Sequence, residues 1–163
     1  MKKIVLATVL FVMMSVPAFA ADIFAELGVG FGKSLNSEAA IVRYRIDSPQ
    51  FFDHDSFYEA VLMTWNGEAK ASSVGIAKTI RWHMPRNKYF DFSLGGMYID
   101  KDSTENLGTQ LEFYLRFSYV MKIHNHETSF SLIHLSNGSG TIAGKYSDRN
   151  NGENFLTIST EVF

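Results

Sequence analysis

Between residues 108 and 121 the chain alternates with a period of two. Leu111, Phe113, Leu115, Phe117, Tyr119 and Met121 alternate with Gln110, Glu112, Tyr114, Arg116 and Ser118. Successive side chains of an extended backbone point to opposite faces, so one face of this segment is greasy and the other largely polar. A helix cannot sort residues in this way, and a strand with two unlike faces can. Whatever the chain folds into must give each face its own solvent.

Seven other segments carry the same pattern, and eight strands are expected at 23–33, 39–47, 56–66, 73–83, 89–99, 108–121, 126–136 and 154–163. In the first, Ala25, Leu27, Val29 and Phe31 alternate with Glu26, Gly28, Gly30 and Gly32. In the second, Val42, Tyr44 and Ile46 oppose Arg43 and Arg45. In the fourth, Lys78 interrupts an apolar row of Val74, Ile76, Ile80 and Trp82. Gly95-Gly96 in the fifth is expected to mark a bulge. No segment of the mature chain shows a convincing helical period, and no internal repeat or linker divides it.

The strand lengths approach the roughly 9–11 residues that a tilted membrane-crossing strand needs. The amino terminus supplies a route to a membrane. Lys2 and Lys3 precede an apolar run from Ile4 to Val16, and Ala18-Phe19-Ala20 has the small-x-small form of a cleavage site. Residues 1–20 therefore read as a signal peptide, and residues 21–163 as one outer-membrane β-barrel domain. Without Lys2 and Lys3 the formal net charge moves from −2 to about −4. That balance gives no basic surface for nucleic acid. Cysteine is absent, so an exported fold of this size must rest on a good core or a closed sheet.

The expected fold is an all-β, eight-stranded antiparallel up-and-down transmembrane β-barrel, with a periplasmic sandwich as the competing architecture. In a barrel, Glu26, Arg43, Arg45, Glu59, Arg81, Asp91, Glu112 and Arg116 all face inward. Four arginines then balance four carboxylates, which a closed interior requires because an unpaired charge there is costly. Outer-membrane barrels have short periplasmic turns and longer outer loops. Links 84–88 and 122–125 suit periplasmic turns, 48–55 is long for one, and 137–153 suits an extracellular loop. Trp65, Trp82, Tyr89, Tyr98 and Tyr119 are expected in aromatic girdles. His54, His83, His124 and His126 are expected at solvated strand ends.

One row departs from the greasy pattern. Phe130, Leu132, His134 and Ser136 share a face, so a base and a hydroxyl follow two apolar residues on the lipid side, near the outer end of the seventh strand. A histidine beside a serine is the minimum for an activated oxygen nucleophile. Polar groups facing lipid are expensive, and a lipid substrate would account for them. Set against this are a structural histidine and, at Asn137-Gly138-Ser139-Gly140 and Asn150-Asn151-Gly152, simple turn chemistry.

His134-Leu135-Ser136-Asn137-Gly138, followed by Asn150-Asn151-Gly152-Glu153-Asn154 and a final strand ending in Phe163, resembles the PagL-type lipid A 3-O-deacylases. The resemblance rests on residues 130–163. It implies an eight-stranded outer-membrane barrel, a serine esterase site facing the outer leaflet, and removal of the 3-O-linked acyl chain of lipid A. On this likeness Ser136 is the nucleophile, His134 the base, and an acidic residue orients the imidazole. Counting from Gly152 puts that third member at Asn154, and counting from the C-terminus puts it at Glu153. Strand parity favours Asn154 and carboxylate chemistry favours Glu153; Glu153 is the expected member, with Asn154 the alternative. Asn150, and a backbone N–H within Gly138–Gly140, match the family's oxyanion donors, with Asn137 less direct. The likeness implies no metal or cofactor, lipopolysaccharide as the partner, and compatibility with a homodimer. Phe163 resembles the terminal aromatic read by outer-membrane assembly machinery. The competing functions are a structural or adhesion barrel without activity, and an outer-membrane phospholipid acyl hydrolase or acyltransferase.

Overall fold

A computed structural model of the chain describes residues 21–32, 36–66, 70–100, 110–137 and 152–163. The proposed signal segment, Gly138, Gly140 and Asn150 lie outside these residues. Eight strands follow in order: β1 (Ala21–Gly30), β2 (Glu38–Phe51), β3 (His54–Asn66), β4 (Ala71–Met84), β5 (Lys88–Ile99), β6 (Leu111–Ile123), β7 (His126–Ser136) and β8 (Glu153–Glu161). Each pairs antiparallel with its sequence neighbours, and β1 pairs with β8 to close a barrel. The seam continues past β8, where Ile23 N–H donates to the Phe163 carbonyl at 2.9 Å and Val162 N–H to the Ile23 carbonyl at 2.8 Å. Closure leaves no unpaired strand edge, as a wall in hydrocarbon requires.

The two faces separate as the alternation requires. All eight charged residues expected inside are buried. Arg43 is a hub, with Nε 2.8 Å from Glu26 Oε2, Nη1 2.8 Å from Glu59 Oε1, and Nη2 donating to Ser159 at 3.2 Å. Arg116 approaches Glu26 at 3.7 Å, and Thr157 donates to the same carboxylate. Nearer the other end, Arg81 pairs with Asp91 and Glu127, and Arg45 pairs with Asp22 and the same Glu127. The Arg45 and Arg81 guanidinium groups lie over the Phe57 ring at 4.5 and 5.0 Å. Isolated charges could not occupy this space, because desolvation exceeds what one loose partner returns. A lattice with several charge-assisted bonds to each cation can. Around the other end, Val61, Met97, Ile99, Tyr114, Ile133, Leu135 and Phe155 form the apolar core. Leu27, Val42, Ile76, Leu94, Phe117, Leu132 and Leu156 are exposed on the outer wall.

The ends of the barrel differ. At one, β2–β3 and β6–β7 turn on two residues each, Phe52-Asp53 and His124-Asn125, all at positive φ. This is the paired left-handed geometry that matches strand twist in tight hairpins. The β4–β5 turn, 85–87, is also short. At the other end the links are longer, the longest joining β7 to β8.

Several expectations need correction. The link 48–55 is not long: β2 extends to Phe51 despite Pro49, because the ladder slips between Ser48 and Phe51 and no N–H is needed there. Gly95-Gly96 forms no bulge, since its register with Ala77 and Ile76 runs without interruption. A Cβ on Gly95 would strike Ile76 and Ala77, so that glycine serves close strand packing. Trp65 is no girdle residue; it is buried against Phe155, with ring centroids 6.0 Å apart. Tyr89 also leaves the girdle, lying 4.4 Å under the Arg81 guanidinium.

Candidate active site

The site lies where β7 ends. Ile133 and Leu135 point inward and are buried, which turns His134 and Ser136 onto the outer wall with Phe130 and Leu132. Cross-strand register sets the neighbours: His134 lies between Leu115 of β6 and Asn154 of β8, and Ser136 lies opposite Phe113. His134 Nδ1 is 2.8 Å from Asn154 Oδ1. An amide oxygen can only accept, so Nδ1 carries the hydrogen, which in the neutral imidazole leaves the lone pair on Nε2. That is the tautomer a general base needs, with its orienting bond on the nitrogen away from the reacting proton.

Two backbone features hold this pair. Phe31 N–H, just past β1, donates to the Asn154 carbonyl at 3.0 Å and ties the start of β8 to its neighbour. Gly152 sits at φ +60, and a Cβ built on it would lie 3.0 Å from His134 Cε1. Any side chain here would be strained by its backbone and pressed against the imidazole. The sequence marks Gly152 only as a turn residue; its contact with His134 depends on the long β7–β8 connection and is not visible in any local motif.

Ser136 Oγ makes no hydrogen bond to His134. The two residues are roughly 6.6 Å apart along the strand and share an open face. Glu153, the expected third member, does not join them. It is 6% exposed, has the inward parity of Phe155, and sits opposite Leu135 in the ladder. No bulge resets its parity, so the residue brought to the imidazole is Asn154. Asn137 is buried and so does not share the open setting of Ser136.

Continuous with this row, toward the short-turn end, is an open groove of about 720 Å³. Leu27 and Val29 of β1, Phe130 and Leu132 of β7, and Leu156 and Ile158 of β8 line it. It is apolar and wide enough for alkyl chain. Side chains at the head of such a groove can reach a bond between a polar head and its hydrocarbon tail.

The fold defines a class first. The crystal structure of the outer membrane enzyme PagL is similar, with a TM-score of 0.66 over 87% of this chain and 99% of that one, at 18% identity. No curated protein sequence matches the chain. The shared fold is the closed, eight-stranded antiparallel β-barrel. The family model for lipid A 3-O-deacylase (PagL) matches residues 38–162. The chain therefore belongs to the lipid A 3-O-deacylase (PagL) family, whose members are ester hydrolases.

Proposed function

We propose that this protein removes the 3-O-linked acyl chain of lipid A with Ser136 as nucleophile, His134 as general base and acid, and Asn154 as the residue that orients His134. The single observation that supports it best is the outward-facing His134, held by Asn154 beside Ser136 at the head of an apolar groove. The short turns are assigned to the periplasm, as in other outer-membrane barrels. His134 and Ser136 then meet the outer leaflet. The leader, residues 1–20, is taken to be removed on export.

His134 Nε2 accepts the Ser136 hydroxyl proton as Oγ bonds to the ester carbonyl carbon, and the carbonyl electrons move onto oxygen. That oxyanion is stabilised by hydrogen-bond donors, assigned to the Asn150 side chain and a backbone N–H of the Gly138–Gly140 segment, with Asn137 as a further candidate. When the carbonyl re-forms, the bond to the sugar oxygen breaks, and imidazolium returns the proton to give a free 3-hydroxyl. Water, deprotonated by the same histidine, then cleaves the acyl-serine and releases the fatty acid. Asn154 keeps the correct tautomer but carries no charge, so imidazolium receives less stabilisation than an acidic partner provides.

Lipid A mass spectra from cells expressing the protein test the reading. Loss of one 3-hydroxyacyl chain is expected, with no loss when Ser136→Ala is expressed at equal folded levels. Unchanged lipid A with the wild type would sink the reading. Lysophospholipid in its place would reassign the substrate, and activity in Ser136→Ala would reassign the nucleophile.

A further inference from the structure

On the opposite wall, Lys78 faces outward from the middle of β4 between Tyr58 and Leu94. A lysine aimed at lipid is costly unless its head finds polar company. Its ammonium bends toward the short-turn end, where it donates to Ser48 Oγ and lies 3.5 Å from the Pro49 carbonyl, over the Tyr58 ring at 4.4 Å. All these partners are uncharged. Among the described residues Lys78 forms no ion pair.

Beside it lies an apolar hollow of about 590 Å³, walled by Tyr44, Ile46, Ile76 and Leu94 and floored by Ala60 and Gly96. A Cβ on Gly96 would meet only Glu112 O, at 4.0 Å, so the missing side chain leaves open space. Ile76, Ala60 and Gly96 are level in the ladder and stand two residues toward the long-loop end from Lys78. Charge and hollow are therefore ordered along the wall: cation toward the short-turn, periplasmic end, hydrocarbon space toward the long-loop end. Lys78 is six residues from Met84, which sets its Cα roughly 15 Å above that rim for a tilted strand. Its side chain then reaches down toward the rim. A lipid of the periplasmic leaflet has this polarity, and one of the outer leaflet has the reverse.

We infer that Lys78 and the adjoining hollow bind an anionic glycerophospholipid of the periplasmic leaflet, with its phosphate on the ammonium and an acyl chain between Ile76 and Leu94. The inference needs the barrel and its orientation, and is independent of the chemistry at Ser136.

The test uses the full barrel in maltoside detergent, with bound lipid counted by native mass spectrometry. Phosphatidylglycerol is expected to bind more tightly than phosphatidylcholine. Lys78→Met should weaken phosphatidylglycerol roughly fivefold, the usual effect of one basic residue at an anionic surface. Lys78→Arg should restore it. Gly96→Leu, which fills the hollow and keeps the cation, should weaken retention of long-chain lipid as well. Deacylation should be unchanged in all three. Heat-modifiable gel mobility reports folding, and Lys78→Gln replaces Lys78→Met should the latter not fold. Equal binding by wild type and Lys78→Met overturns the inference. So does no preference for phosphatidylglycerol, or its displacement by millimolar inorganic phosphate, which would mark a free-anion site. A lipid-free dimer abolished by Gly96→Leu would give the hollow to a second copy of the chain.

Discussion

His134 and Asn154 face each other directly across the β7–β8 ladder, with Nδ1 2.8 Å from Oδ1. Glu153, one residue earlier, is turned into the barrel. Replacing Asn154 with alanine should reduce kcat by about 10²-fold with little change in KM, since only the poise of the base is lost. Glu153→Gln should retain most activity. Steady-state deacylation of purified lipopolysaccharide checks both, and the opposite ranking would return the third position to Glu153.

Asn154→Asp supplies the charge that the orienting amide lacks. With Nδ1–H still donating, the carboxylate favours imidazolium and should raise kcat. A fall in kcat at unchanged fold would show that neutrality at this position is required.

Gly152→Ala asks whether the return of the β7–β8 connection positions His134. The positive φ and the 3.0 Å approach to Cε1 should together cost about 1–2 kcal/mol. The imidazole should be displaced more than the barrel is weakened. Activity should therefore fall further than the urea midpoint; a proportional loss of both would make Gly152 only a fold residue.

Filling the groove should separate substrates by chain length. Ile158→Trp is expected to lower kcat/KM for long-chain esters roughly tenfold while sparing a short-chain ester such as p-nitrophenyl butyrate. Equal effects on both would remove the groove from substrate binding.

Arg43→Ala leaves Glu26 and Glu59 buried without their shared cation. Loss of one partner from such a network typically costs about 3–5 kcal/mol, read here from urea unfolding. A change below 1 kcal/mol would mean that water or neighbouring side chains replace the guanidinium.

Much of the fold was legible because alternation reports a face directly. The inward set from Glu26 to Arg116 and the outward set at His134 and Ser136 follow from parity alone. What parity could not supply was register. That Asn154 meets His134 depends on how β8 slides against β7, and the intervening connection gives no count. Pro49 disguised the end of β2, because a proline-bearing strand can continue through a slip in its ladder. Glu127 stands beside the β6–β7 turn in sequence, and nothing local marks that its carboxylate bridges Arg45 and Arg81 from across the barrel. Trp65 read as a girdle residue because its ring says nothing about which side of the wall it occupies.

The ion-paired lattice around Arg43, Arg45 and Arg81 occupies the bore of the cylinder with side chains. With the bore filled in this way and His134 and Ser136 on the outer wall, the proposed function has the acyl ester arrive sideways, already dissolved in the bilayer. Encounters then take place in two dimensions. Their frequency follows the mole fraction of substrate in the leaflet, and dilution with inert lipid should slow turnover even when the bulk concentration is held constant.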